Sequence, residues 1–412
     1  MKKYAFVLGR NTALSIAEIL EVFKRDHREF QLISYSKEVL IIEVTEISNL
    51  SLKGLGGTIK IAEIFEEVAK SGEILPKISD YLQDQVQDPE KKYHLGLSIY
   101  RLFGGKRTGE KLFRGLRSTY IDLKNEFKEK DYKLAFTQVK GRTLNSASVL
   151  KNKLIGDNGA EICLIASENK VFIARTLQVQ DVDFFSKIDF GRPVRDTVSG
   201  TTPPKLAMIM VNLAGKDKNS IMHDPFCGSG TYVQAMKLLG YAKIYGTDKS
   251  EKAIADSRQN MDWLVKEFKF DVSGVQIFQA DVRELSPKIQ EKVDGVVAEG
   301  YLGPALKKEA GEAEIKEIST ELLGLYKEAL TELKKITAED TRIVLALPIF
   351  HSLEKNYFLE LEPILQKVGL KIINLLDGIG DFSAEVMSSR HTFIYSRPDQ
   401  RVFREILVLE KI

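Results

Sequence analysis

The segment His223 to Gly240, HDPFCGSGTYVQAMKLLG, ends a strand at Asp224 and opens a helix after Gly230. Between them, Gly228 and Gly230 let the backbone come close to a ligand at the carboxyl end of that strand. Val233 stands where a dinucleotide fingerprint has its third glycine, which argues against a nicotinamide ligand. Twenty residues after Gly228, the strand IYGTD delivers Asp248, a carboxylate placed to accept both hydroxyls of a ribose. A third acid, Asp281 in QAD, ends the next strand. Taken singly, each acid also reads as a solvated loop carboxylate or a helix N-cap. In this order around a glycine turn, they suit a ligand with an adenosine, an amino group and a sulfonium cation, and S-adenosylmethionine has all three.

From Lys205 onward, helices alternate with short apolar strands at Ile221 to Asp224, Lys243 to Thr247, Val275 to Gln279, Val293 to Ala298 and Arg342 to Leu347. That alternation predicts a parallel sheet wound on both faces. Near the end, His391 to Tyr395 and Arg404 to Leu409 have no helix between them and are expected to pair antiparallel. Upstream, residues 189–204 hold Gly191, Pro193, Gly200, Pro203 and Pro204 and read as a connector. Residues 1–90 mix short strands and helices, as in Tyr4 to Leu8 and Val39 to Val44, and suggest a small α+β unit. A second unit, residues 91–188, starts with the strand HLGLSIY. It carries a long helix from about Thr108 to Lys130, with Leu112, Leu116, Tyr120, Leu123 and Phe127 on one stripe.

The chain has 412 residues, 43% of them apolar, enough for two or three domains with real cores. Sixty basic and 58 acidic residues leave a net charge of +2, so any bias toward phosphates is local. It is: Arg101 to Lys153 holds 14 basic and 5 acidic residues. Lys106, Arg107, Lys111, Arg114 and Arg117 lie on or at the start of the long helix, with Lys140 and Arg142 beyond it, and form a candidate phosphate-binding set. A lysine-rich helix face alone also reads as a solvated surface. Two cysteines, Cys163 and Cys227, fit a reducing cytosol and no disulfide framework. Five scattered histidines lack metal-ligand spacing, so no metal is expected. The apolar stretches fall short of the ~20 residues a membrane span requires. The whole reads as a cytoplasmic protein.

DPFCGSGT resembles motif I of class I S-adenosylmethionine-dependent methyltransferases, in the form typical of amino-group methylases. The connector DFGRPVRDTVSGTTPPKLAMIMVNLAG, the loop EGYLGP and the ending YSRPDQ resemble the THUMP-domain tRNA guanine N2-methyltransferases. These are the archaeal-type enzymes acting at position 10 of tRNA and their bacterial relatives, and the likeness covers nearly the whole chain. It implies an N-terminal ferredoxin-like domain (1–90), a THUMP RNA-binding domain (91–188), the connector, and a Rossmann-like methyltransferase domain (205–412) with a mostly parallel sheet and an antiparallel terminal hairpin. It further implies that Asp224, Gly228 and Gly230 meet the methionine part, with Phe226 and Thr231 in the same motif, Asp248 the ribose and Asp281 the adenine amino group. tRNA is the implied partner. Some relatives also work with a small activating protein.

Amino-methylases place an acid or amide, two prolines and an aromatic at the end of the fourth strand. An exocyclic amino group is a poor nucleophile, and these groups hold it and accept its hydrogens. In this chain VDGVV runs into Ala298, Glu299, Gly300, Tyr301, Leu302, Gly303 and Pro304. Tyr301 matches the aromatic, Ala298 stands in place of the acid, and Gly300 stands in place of a proline. Glu299 is then the candidate acceptor. Three readings follow: methyl transfer to guanine N2 in tRNA, a DNA amino-methylase, and a catalytically silent RNA-binding protein that keeps the cofactor fold.

Overall fold

The computed structural model spans residues 1–412 and describes all of them except 70–72, 87, 89–90, 138–140, 196–201, 307–308, 380–386 and 398–399. One unit comprises Met1–Thr12, His27–Lys53 and Gly57–Asp183, and the other Ala13–Asp26, Gly54–Gly56 and Phe184–Ile412.

In chain order the elements begin with β1 (Lys2–Leu8), α1 (Thr12–Arg25), β2 (Phe30–Tyr35), β3 (Val39–Val44), β4 (Thr58–Val68) and α2 (Ile74–Gln85). They continue with β5 (Tyr93–Arg101), α3 (Lys106–Glu129), β6 (Leu134–Thr137), α4 (Ser146–Lys151), β7 (Gly159–Ala166) and β8 (Val171–Val179). The eight strands form one sheet in the order β2-β3-β1-β4-β8-β7-β5-β6. The two segments that the sequence divides at about residue 90 thus share a sheet, joined where β4 pairs antiparallel with β8 from Lys60↔Val179 to Val68↔Val171. Alternation of apolar residues locates each strand but does not name the edge it pairs with. The expected stripe of α3 is buried at Leu112, Leu116, Leu123 and Phe127, while Tyr120 accepts the Leu97 N–H at 2.9 Å.

Helix α1 departs from its neighbours in sequence, because Ala13–Asp26 clusters with the second unit. It is buried without a break from Ala13 to Phe23, including two glutamates. Buried carboxylates need partners. Glu18 accepts from Gly56 N and Asn212 Nδ2, each at 2.8 Å, and Glu21 pairs with Arg342.

The second unit continues with α5 (Val182–Phe190), which begins two residues before the boundary, then α6 (Pro204–Leu213), β9 (Ile221–Asp224), α7 (Thr231–Leu238), β10 (Lys243–Asp248), α8 (Glu251–Phe268), β11 (Val275–Gln279) and β12 (Val293–Glu299). Then come α9 (Glu312–Ile336), β13 (Thr337–Ser352), β14 (Lys355–Phe358), α10 (Glu362–Val368), β15 (Leu370–Ile372), β16 (Phe393–Tyr395) and β17 (Val402–Lys411). The sheet runs β11-β10-β9-β12-β13-β17-β15, with β14 on β13 and β16 on β17. From β11 to β13 all pairs are parallel, and β17 is antiparallel to β13 and, as the sequence predicts, to β16. Helix α9 supplies the apolar stripe Ile315, Ile318, Leu322, Tyr326, Ala329, Leu333 and Ile336 to the core on one face. On the other face, α7 approaches β10 closely. A Cβ at Gly246 of β10 would lie 2.8 Å from Val233 Cγ2, so the small residue of this contact sits on the strand, and the helix position is free to be valine.

Candidate functional site

Strand order brings the predicted acids together. Reading across β11, β10, β9 and β12, the carboxyl edge of the sheet presents Asp281, Asp248, Asp224 and Glu299 in turn. Asp248, Asp224 and Glu299 are the last residues of their strands, and Asp281 follows β11 by two residues. The fourth strand reaches Glu299, which pairs with Ala346, so it runs one residue past the expected end at Ala298. Ala298 itself is fully buried in the core.

The glycine loop is closed by its own backbone: Gly230 N–H donates to Cys227 O at 2.7 Å, and Cys227 N–H to Thr247 O at 2.9 Å. Gly230 sits at φ +85°, and a Cβ there would lie 2.4 Å from Ser257 Oγ. No other residue meets both demands cheaply. Asp248 accepts Gly228 N–H through Oδ2 (3.0 Å) and Ser250 N–H through Oδ1 (2.9 Å). It therefore ties β10 to the loop and keeps lone pairs for a ligand.

Asp224 is fully buried, and its Oδ1 accepts Phe226 N–H at 3.2 Å while its Oδ2 has no hydrogen-bond partner among the described residues. Burial pushes its carboxyl well above the usual range, and Asp248 and Glu299 push it further. An orphaned acid oxygen beside a glycine cradle is a place for a cationic or hydrogen-donating ligand. Phe226 packs partly buried against the core. Asp281 behaves differently, because Arg283 lies across it: Nε reaches Oδ1 at 2.9 Å and Nη2 reaches Oδ2 at 2.6 Å, which hold its pKa down at about 2.

Glu299 is paired through both oxygens with Arg404 of β17, Nη2 to Oε1 measuring 3.1 Å. Tyr301 is 53% exposed, and its carbonyl accepts from Tyr326 Oη at 2.5 Å. Arg404 and Tyr326 were not singled out by the sequence, and neither was Arg192. Arg192 is buried in the connector and donates from Nη1 to Thr231 Oγ1 at 2.8 Å, at the head of α7. The GRP triplet holding it was the available signal. His223 and Cys227 are no candidates: burial lowers the imidazole pKa to about 3 and raises that of the thiol.

In the first unit, Lys106, Arg107, Lys111, Arg114 and Arg117 are all exposed on α3, with Phe113 41% exposed among them. Among the described residues, Arg114 pairs with Glu110 alone, at 4.0 Å. Arg142 is turned to Glu38, which it shares with Arg101, at 3.0 and 3.2 Å. Burial alone would raise the Glu38 carboxyl, but Arg142 and Arg101 outweigh it and the pKa is lowered. Lys140 lies outside the described residues. Among those described, no helix is long and apolar enough to cross a membrane.

Residues 192–368 match the family model described as the RMKL-like methyltransferase domain, UPF0020. Two curated relatives are each called tRNA (guanine(10)-N2)-dimethyltransferase. The chain is 30% identical to that of Methanothermobacter thermautotrophicus over 155 residues, 38% of this chain and 41% of the relative. It is 31% identical to that of Methanocaldococcus jannaschii over 168 residues, 39% and 45% of the two chains. The chain thus spans less than half the length of the curated relatives it matches. Among solved structures, TrmN from Thermus thermophilus aligns over the whole of both chains with a TM-score of 0.55 at 15% identity. A possible methylase from Clostridium difficile 630 aligns over 100% of this chain and 99% of its own, with a TM-score of 0.50 at 12% identity. These two share the fold. The domain match thus falls on the stretch that holds the parallel strands and the acid-rimmed glycine loop.

Proposed function

We propose that the chain transfers a methyl group from S-adenosylmethionine to an exocyclic amino group in RNA, namely guanine N2 in tRNA. The observation that carries this reading is the row Asp248, Asp224 and Glu299 on three adjacent parallel strands beside the glycine loop. The relatives' names support the choice of base and RNA. The residues fit the cofactor: the Gly228 to Gly230 turn, with Phe226 and Thr231, cradles the methionine part, and the orphaned Asp224 oxygen takes a donor or cationic group from it. Asp248 accepts the ribose hydroxyls, and Asp281 the adenine amino group. When bound, the cofactor supplies a methyl group activated by its sulfonium.

The chain's own part is to hold the target. Glu299, held through both oxygens by Arg404, accepts a hydrogen from N2, and exposed Tyr301 offers a face on which an unstacked guanine can lie. We assign RNA capture to residues 1–188, with 1–90 as a ferredoxin-like domain and 91–188 as a THUMP domain. Lys106, Arg107, Lys111, Arg114 and Arg117 meet phosphates, while the Arg142 charge is shared with Glu38. Incubating the protein with a tRNA transcript and labelled cofactor, then analysing nucleosides by mass spectrometry, should yield N2-methylated guanosine.

Buried Ala298 favours a second reading, a catalytically silent RNA-binding protein, because the usual acid is missing from that position. Cofactor binding without any methylated nucleoside would select it.

A further inference from the structure

Three consecutive residues of the loop after β12 are gripped by three different elements. Glu299 accepts the guanidinium fork of Arg404 from β17. Gly300 N–H donates to Ala346 O of β13 at 3.1 Å. Tyr301 O accepts from Tyr326 of α9 at 2.5 Å. Both grips by side chains are dry: the Arg404 side chain is 7% exposed and that of Glu299 15%, and Tyr326 is 1% exposed. Arg404 is itself fixed, since its backbone pairs with Pro348 on one side and Tyr395 on the other.

The same contacts account for the glycine. A Cβ at Gly300 would lie 2.5 Å from Tyr326 Oη and 2.7 Å from Cε1. Proline there would also lose the N–H given to Ala346. The rigidity a proline supplies from within the loop is therefore supplied from outside it.

We infer that Arg404 and Tyr326 are positioning residues that hold the Glu299 carboxylate and the Tyr301 backbone in place to receive the substrate amino group. This rests on the acceptor role proposed for Glu299. Around that carboxylate stand Asp224 from β9, Tyr232 from α7, Tyr326 from α9 and Arg404 from β17, with Arg404 the one cation among these neighbours. Arg404→Gln leaves the carboxylate facing an acid and two phenols.

The test is single-turnover methylation of a tRNA transcript by the full chain, with cofactor affinity measured separately by calorimetry. Arg404→Gln should slow transfer at least ten-fold at neutral pH while leaving cofactor affinity nearly unchanged. Arg404→Lys should restore only part of the rate, because an ammonium cannot make the two-pronged contact. Tyr326→Phe removes one hydroxyl and should lower the rate several-fold at unchanged cofactor affinity, the pattern of a transition-state effect. In the protein without cofactor or RNA, the Gly300 amide should exchange its hydrogen faster in Tyr326→Phe than in the parent. If Arg404→Gln fails to fold, Arg404→Lys and Tyr326→Phe decide the matter. Parental rates and parental Gly300 exchange in the variants overturn the inference, provided Glu299→Gln is slow. A parental rate in Glu299→Gln instead overturns the acceptor reading beneath it.

Discussion

The glycine loop closes on itself within four residues, Gly230 to Cys227, whereas the Glu299 to Tyr301 loop is gripped by side chains 105 and 25 positions away. In the first, shape is stored in backbone conformation at a residue that only glycine fills well. In the second, a glycine makes room for a tyrosine ring, and shape is stored in the partners. The two loops should therefore respond to substitution in different ways.

Gly230→Ala should produce the largest effect. The left-handed conformation costs a Cβ-bearing residue about 1–2 kcal/mol, and overpacking against Ser257 adds about 1–3 kcal/mol. We expect denaturant unfolding to show a loss of about 2–5 kcal/mol in total. Gly300→Ala should cost only the overpacking share. Pairing it with Tyr326→Leu should recover much of that share, whereas pairing Gly230→Ala with Ser257→Gly leaves the backbone strain in place. Equal recovery in the two pairs would break the comparison.

Asp248→Ala should come next. Loss of a charge-assisted bond, worth roughly 1.5–3 kcal/mol, predicts cofactor binding at least about ten-fold weaker by calorimetry. Asp248→Asn should fall between, since its amide oxygen still accepts from one backbone N–H. Glu299→Ala should leave cofactor affinity nearly unchanged while slowing methyl transfer. A large affinity loss in Glu299→Ala would mean that both loops serve the cofactor.

This difference also explains what was legible in the sequence. Asp224, Gly228, Gly230 and Asp248 follow from strand ends and a turn, all within 25 residues, and local pattern carries that information. Helix α3 with its buried stripe was readable for the same reason. Arg404 was not, because only the pairing of β17 with β13 brings it beside Glu299. Tyr326 reads as one more apolar position in the α9 stripe, and its hydroxyl contact depends on how the loop folds back. The shared sheet of residues 1–179 and the grouping of α1 with the second unit were hidden for a related reason. Edge pairing and helix docking are set by tertiary contacts, and α1 is apolar enough around its circumference to hide which face leads.

Asp224 links the two loops, because Asp248 on one side and Glu299 on the other add to burial in raising its pKa. An unfolded chain releases this proton at ordinary carboxyl pH, while the folded protein holds it longer. Stability without cofactor should therefore fall as pH rises from about 4 through the raised value, by up to about 1.4 kcal/mol per pH unit for one proton. Asp224→Asn should flatten that slope. A cationic ligand favours the ionised acid, so S-adenosylmethionine should bind with proton release and more tightly as pH rises. Calorimetry in buffers of different ionisation enthalpy checks this, and a parental heat that does not depend on the buffer would mean that no proton leaves Asp224 on binding.

The smallest effect belongs to Asp281, at the edge of the row, where Arg283 already occupies both oxygens. Its pKa of about 2 is set first by that side-chain bond. A depressed carboxyl contributes stability above its ordinary pKa and loses it as pH falls through the folded value, so between pH 5 and 8 Asp281 is silent. The Asp224 titration is then read without interference. Arg283 is half exposed, and surface ion pairs of this kind contribute little. Arg283→Ala should change cofactor affinity less than about three-fold, with little pH dependence above pH 5. Asp281→Ala should weaken binding more than Arg283→Ala, because it removes the group that faces the adenine amino hydrogens. If Arg283→Ala is the more damaging of the two in calorimetry, the guanidinium is the group that touches the ligand and Asp281 serves to aim it. The edge of the site would then resemble the Glu299 loop, with one side chain held in place by another.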